Sequence, residues 1–156
     1  MLSTEAQVLS ELLIANDLTI SVAESCTGGS LSRVLTSIPG ASSYFDCGYI
    51  TYSNQSKVEM LGVDNQIIKT YGAVSEEVAL EMVIGVVTKS HSDVAVSITG
   101  VAGPSGGTSE KPVGMVCFGF SYDDKTSTST ELFSGDRASI VSQSASYSLR
   151  QLSLKF

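Results

Sequence analysis

Apolar residues recur along the chain with two periods, and the order in which the periods alternate predicts the elements. Val8, Leu9, Leu12 and Leu13 repeat at helical spacing behind Thr4, which is placed to cap a first helix. Leu18, Ile20 and Val22 then alternate with Thr19, Ser21 and Ala23, the period of a strand. After a turn over residues 24–29, Leu31, Val34, Leu35 and Ile38 return to helical spacing, and Pro39-Gly40 stops that helix. Residues 48–52 read as a second strand. Ser53 or Asn54 caps a short helix that carries Lys57, Val58 and Leu61 and stops at Gly62. Asp64 starts another short helix that closes near Tyr71-Gly72.

Ser75-Glu76-Glu77 opens the next helix, with both carboxylates in the first turn where the helix dipole favours them. Val78, Ala79, Met82, Val83, Val86 and Val87 give it a broad apolar stripe. Residues 94–99 are β-branched and nearly all apolar, as a central buried strand requires. A glycine-rich loop over 100–107 leads to a strand over 113–121. Asp123-Asp124 then turns the chain into a Thr/Ser-rich strand ending near Phe133, a hairpin with one solvated face. Gly135-Asp136 precedes a last helix through Ile140, Val141, Tyr147 and Leu152. Helices alternate with strands until that late pair. The pattern predicts one α/β domain over 1–156, a three-layer α/β/α sandwich with a mixed, mostly parallel sheet.

Composition narrows the function classes. Nine Lys+Arg against sixteen Asp+Glu give a charge of −7, which excludes the basic face of a nucleic-acid binder. Three cysteines at scattered spacings, with no C-x-x-C, predict neither a disulfide framework nor a metal site, and fit a reducing compartment. His91, the only histidine, falls in a polar loop and is expected to be solvated, which removes a Ser-His-Asp scheme. No apolar run reaches the roughly 18 residues of a membrane span, and the N-terminus lacks a signal pattern. A soluble, cytoplasmic protein that contacts no membrane is expected.

Open α/β sheets bind ligands at the carboxyl ends of their strands. Three stretches fall there. The first, E-S-C-T-G-G-S over residues 24–30, has the strand–turn–helix layout of a nucleophile elbow without its G-x-S-x-G consensus. Gly28 and Gly29 allow a tight turn, and free amides at the start of the following helix could hold a phosphate, a carboxylate or an oxyanion. A purely structural turn is the alternative. Ser25 and Cys26 compete as nucleophile, and no Walker lysine follows the glycines.

The second stretch supplies a base. Lys57 lies five residues past Tyr52, so a strand-end tyrosine and a first-turn lysine could face one cleft. Lysine acts as a base only where burial or a neighbouring cation lowers its pKa. An ordinary surface lysine beside a packing tyrosine remains open at this point. The third stretch, T-G-V-A-G-P-S-G-G-T over residues 99–108, either wraps a ligand or turns a corner. Lys111 and Arg137 are the nearest cations. Arg137 sits at a helix start, where the dipole does not favour it; a bound phosphate or an ion pair with Asp136 or another acid would explain it.

On these residues the chain resembles the CinA C-terminal domain family over positions 9–152. The resemblance rests on A-E-S-C-T-G-G (23–29), T-Y-S-N-x-x-K (51–57), Y-G-A-V-S-E-E-V (71–78), S-I-T-G-V-A-G-P-x-G-G-T-x-E-K-P-V-G (97–114) and F-S-G-D-R (133–137). It implies a three-layer α/β/α fold and a serine amidase, without metal or other cofactor, that converts nicotinamide mononucleotide to nicotinate mononucleotide and ammonia. Ser25 would be the nucleophile, Lys57 the base and Tyr52 their partner. Thr27, Gly28, Gly29, Thr99, Gly100, Gly107 and Arg137 would hold the substrate or its oxyanion. The family also implies a homodimer. Larger relatives carry a further N-terminal domain for which 156 residues leave no room. A non-catalytic sensor of pyridine nucleotides, and an amidase of the same mechanism acting on another amide, are the rival readings.

Overall fold

A computed structural model describes residues 2–156, so Met1 lies outside the described residues. The strands are β1 (Ile20–Glu24), β2 (Phe45–Ile50), β3 (Val94–Gly100), β4 (Met115–Tyr122) and β5 (Lys125–Leu132). The helices are α1 (Leu2–Ala15), α2 (Ser30–Thr36), α3 (Asn54–Leu61), α4 (Asn65–Tyr71), α5 (Glu76–Ser90) and α6 (Arg137–Ser153), with a short 3-10 turn at Ala41–Ser43. The sheet runs β2-β1-β3-β4-β5, with β1 parallel to both β2 and β3. β4 is antiparallel to β3 and to β5. Among the described residues, no helix is long and apolar enough to cross a membrane.

Both faces of the sheet are covered, which is why β1 is buried at every position although its sequence alternates. On one face Ile20, Val22, Val96 and Ile98 pack with Leu9 and Leu13 of α1, Leu31 and Leu35 of α2, and Leu149 of α6. On the other, Ala23 and Ala95 meet Leu61 of α3, Ile68 of α4, and Val78, Met82 and Val86 of α5. The three-layer α/β/α sandwich is therefore as expected. Gly85 lets α5 close on α3, because a Cβ there would lie 2.2 Å from the Leu61 carbonyl oxygen.

The helix starts read from sequence hold at Ser53, Asp64 and Ser75, whose side chains accept backbone amides two or three residues on, and Asp136, read only as preceding the last helix, caps it by accepting the Ser139 amide. Three expectations do not hold. The first helix begins at Leu2, so Thr4 lies inside it and caps nothing. Val8 is 46% exposed, and Ala6, one turn before Leu9, takes its place on the buried face with Leu9 and Leu13. The second strand begins at Phe45 and ends at Ile50. As an edge strand it half-buries alternate residues and leaves the others exposed, so Asp46 and Gly48 broke the apolar pattern that marked its start.

Candidate active site

β1, β2 and β3 run parallel, so their carboxyl ends bring the turns after Glu24, Ile50 and Gly100 to one edge of the sheet. Hydrogen bonds then lace the turns together. The Ser25 amide donates to the Ile98 carbonyl at 2.9 Å, and the Thr51 amide to the Glu24 carbonyl at 2.9 Å. Each strand is thus extended one residue past its end. Ser25 is held at the mouth of the sheet, and Thr51 beside it.

α3 supplies the lysine. Ser53 caps it, in a reciprocal box with Ser56, so Lys57 enters one turn later on the inner face. Its side chain is buried, with 1% exposure, and Nζ donates to Ser25 Oγ at 2.9 Å and to the Thr51 carbonyl at 2.9 Å. Among the described residues no carboxylate pairs with it. Burial without a counter-charge disfavours the ammonium and lowers the pKa from its ordinary 10.5 to about 8; the Cys26 thiol opposes this shift. Lys57 is therefore no surface cation.

The two nucleophile candidates separate on the same ground. Burial pushes the Cys26 thiol up from 9.0 to about 12, against the pull of its own backbone and of Lys57, so it stays protonated near neutrality. Ser25 is the one in contact with the lysine.

The amides at the start of α2, expected to be free for an anion, are taken. The Glu24 carboxylate is fully buried. Its Oε2 accepts from the Gly29 and Leu31 amides at 3.1 and 3.0 Å, and its Oε1 from the Ser32 amide and hydroxyl at 2.8 and 2.7 Å. Gly29 adopts φ +101 there, a left-handed turn that glycine favours, so that the chain can fold around the acid. The Gly28 amide is also used, donating to the Ser25 carbonyl at 3.1 Å. Only the Cys26 and Thr27 amides in this turn lack an acceptor among the described residues. A signal was available in the sequence: an acid ending an apolar strand, a few residues before a helix whose dipole it can complement.

Ser25, Tyr52, Lys57, Thr99, Gly100 and Arg137 line one cavity of ≈ 300 Å³, together with the loop after β3. Thr99 contributes its backbone, since its hydroxyl donates to the Ala73 carbonyl at 2.8 Å and ties down the segment before α5. Arg137 makes no ion pair with Asp136, which instead accepts the Ser139 amide at 2.8 Å. Its guanidinium donates to the Gly103 carbonyl and to the Tyr52 hydroxyl, both at 2.7 Å. It thereby presents a positive charge to the cavity with no ion-pair partner among the described residues.

The other expectations are met less fully. Tyr52 is 58% exposed, and its hydroxyl meets Arg137 rather than Ser25 or Lys57. Thr27, Gly28, Gly29 and Gly107 do not line the cavity. Lys111 turns away to the Tyr71 carbonyl. His91 is an exposed residue closing α5 in a left-handed conformation, a solvated loop histidine as read from sequence. Two members of the site were missed in the sequence: the Thr51 carbonyl, which carries no side-chain signal, and Asn54, read as a possible cap.

The sequence pattern of the CinA C-terminal domain matches residues 2–156. A nicotinamide-nucleotide amidohydrolase PncC of Enterobacter agglomerans is 49% identical over 132 residues, covering 84% of this chain and 80% of that protein. The Escherichia coli K12 protein of the same name is 44% identical over 161 aligned positions, covering 100% and 98%. In structure, a CinA superfamily protein from Klebsiella pneumoniae superposes with a TM-score of 0.96 at 31% identity, covering 99% of this chain and 97% of that one.

Proposed function

The chain belongs to the CinA C-terminal domain family, and from that premise we propose that it is an amidohydrolase that cleaves the carboxamide of nicotinamide mononucleotide, releasing ammonia and nicotinate mononucleotide. The names and high coverage of the relatives support the substrate. The observation that carries the mechanism is the 2.9 Å contact between a buried Lys57 and Ser25.

In the reactive form Lys57 is a neutral amine. It keeps donating to the Thr51 carbonyl and turns its lone pair to the Ser25 hydroxyl. With a pKa of about 8, roughly a tenth of the enzyme is in this form at pH 7. Ser25 Oγ attacks the carboxamide carbon as Lys57 takes its proton. The carbonyl oxygen becomes an oxyanion, for which the Cys26 amide, at the cavity wall, is the unengaged donor of the turn. The C–N bond then breaks, and Lys57 returns the proton to the leaving nitrogen, which departs as ammonia. An ester on Ser25 remains. Water adds to the ester carbonyl as Lys57 takes its proton, the bond between the acyl carbon and Ser25 Oγ breaks, Lys57 returns the proton to Oγ, and nicotinate mononucleotide leaves.

Arg137 is the group for the phosphate, being exposed, cationic and bonded only to neutral acceptors. Tyr52 acts through Arg137, orienting its guanidinium, rather than by direct proton transfer. Purified protein given nicotinamide mononucleotide should release ammonia, and Ser25→Ala protein should lose at least about 1,000-fold in rate while still binding the nucleotide. Binding without release by the native chain would instead mark a sensor.

A further inference from the structure

Two polar side chains of the cavity lining, Asn54 and Ser105, make no hydrogen bond among the described residues, and Asn54 is the one on the helix that carries Lys57. In the first turn of α3 and its cap, Ser53 and Ser56 satisfy each other, and Gln55 donates to Glu59 at 2.6 Å. Asn54 lines the cavity, is exposed, and makes no side-chain hydrogen bond to any described residue. Local structure therefore does not account for it.

Its position relative to the other cavity groups does. Asn54 and Lys57 are three residues apart in α3 and so share a face. Along that face the site passes from the buried amine at the floor to the exposed carboxamide of Asn54. Two residues earlier, Tyr52 holds Arg137, which also lines the cavity. We propose that Asn54 is a specificity-determining residue that recognises the ribose of the mononucleotide. Its carboxamide offers one acceptor and a donor NH2, a match for two neighbouring hydroxyls that each donate and accept. This rests on the amidase reading above, in which the reacting carboxamide meets Ser25 and the phosphate meets Arg137, leaving the sugar between them.

The test compares native and Asn54→Ala protein on nicotinamide mononucleotide, with ribose 5-phosphate as a competitive inhibitor and thermal unfolding as a control for folding. Loss of two hydrogen bonds to the sugar should raise KM about tenfold, with kcat within about twofold and an unchanged Tm. The inhibition constant of ribose 5-phosphate should rise by the same factor, and that of inorganic phosphate should stay constant. A KM that does not move, a fall confined to kcat, or equal weakening of ribose 5-phosphate and phosphate would overturn the assignment. If the native chain releases no ammonia, the amidase reading fails on its own. Calorimetric binding of the nucleotide to Ser25→Ala protein with and without Asn54→Ala then decides the role of Asn54, a tenfold difference supporting it and equal affinity overturning it.

Discussion

Glu24 Oε1 accepts two hydrogen bonds from Ser32, one from the amide at 2.8 Å and one from the hydroxyl at 2.7 Å. With the Gly29 and Leu31 amides on Oε2, a buried carboxylate closes the start of α2 from inside. The helix start that ends β1's turn is thus an internal anion site already filled. The turn has no free helix start for a second anion, and under the proposed function the substrate phosphate goes instead to Arg137, at the start of α6.

Replacing that carboxylate by an amide tests the arrangement. In Glu24→Gln the NH2 group faces donors only, so at least one backbone amide loses its acceptor. We expect a destabilisation of about 2–4 kcal/mol by denaturant unfolding, accompanied by lower kcat. Unchanged stability would mean that the four contacts are not holding the turn.

Lys57 should leave a signature in stability as well as rate. Its folded pKa, about 8, lies below the ordinary 10.5 of the unfolded chain. Between those values the unfolded state binds more protons, so the native state gains on the unfolded one as pH rises, and below about pH 8 the penalty is fully present. Relative to Lys57→Met protein, the native chain should therefore gain about 2–3 kcal/mol between pH 7 and pH 10. Comparing the two makes the sign independent of the hydrogen bonds that the substitution removes. A gap that stays constant would mean that Lys57 is not depressed.

Cys26 should behave as an inert thiol. Raised to about 12 by burial, it holds almost no thiolate at pH 8. Iodoacetamide at a concentration that labels all three cysteines in denaturant should leave Cys26 unmodified in the folded protein, as peptide mass spectrometry would show. Rapid labelling of Cys26 with loss of activity would reopen the choice of nucleophile.

The sequence carried the site's residue types, and the family resemblance implied the pairing of Ser25 with Lys57, but no local pattern shows it. The caps at Ser53 and Ser75 were legible because a cap is a local device, set by one side chain and the amides of the next turn. The Ser25–Lys57 contact spans 32 positions and depends on β1 and β2 lying side by side. The alternation of elements suggested that neighbourhood without proving it. The Tyr52–Arg137 bond spans 85 positions and was out of reach. Sequence proximity tied Tyr52 to Lys57, whereas the fold gives its hydroxyl to α6. Val8 failed for the opposite reason: an apolar residue on a helix flank need not be covered, because exposed apolar side chains are common on any surface.

Arg137 should act on binding more than on chemistry. Removing a charge-assisted contact to phosphate in Arg137→Ala should raise KM for the nucleotide about 10- to 100-fold, with the smaller effect on kcat. Arg137→Lys should not restore it, because an ammonium cannot hold Gly103 and Tyr52 in one plane while facing a phosphate. Steady-state kinetics of the two variants read this directly, and an unchanged KM in Arg137→Ala would move the phosphate elsewhere.

The central claim is that a neutral Lys57 activates Ser25, and the pH dependence of kcat/KM on nicotinamide mononucleotide tests it most directly. Activity should rise with pH through a single limb with an apparent pKa of about 8, the value of the buried amine. Lys57→Ala protein should lose at least about 1,000-fold in rate, and its residual activity should lack that limb. A native profile flat from pH 6 to 9, or a Lys57→Ala enzyme that retains the same limb, would contradict the account.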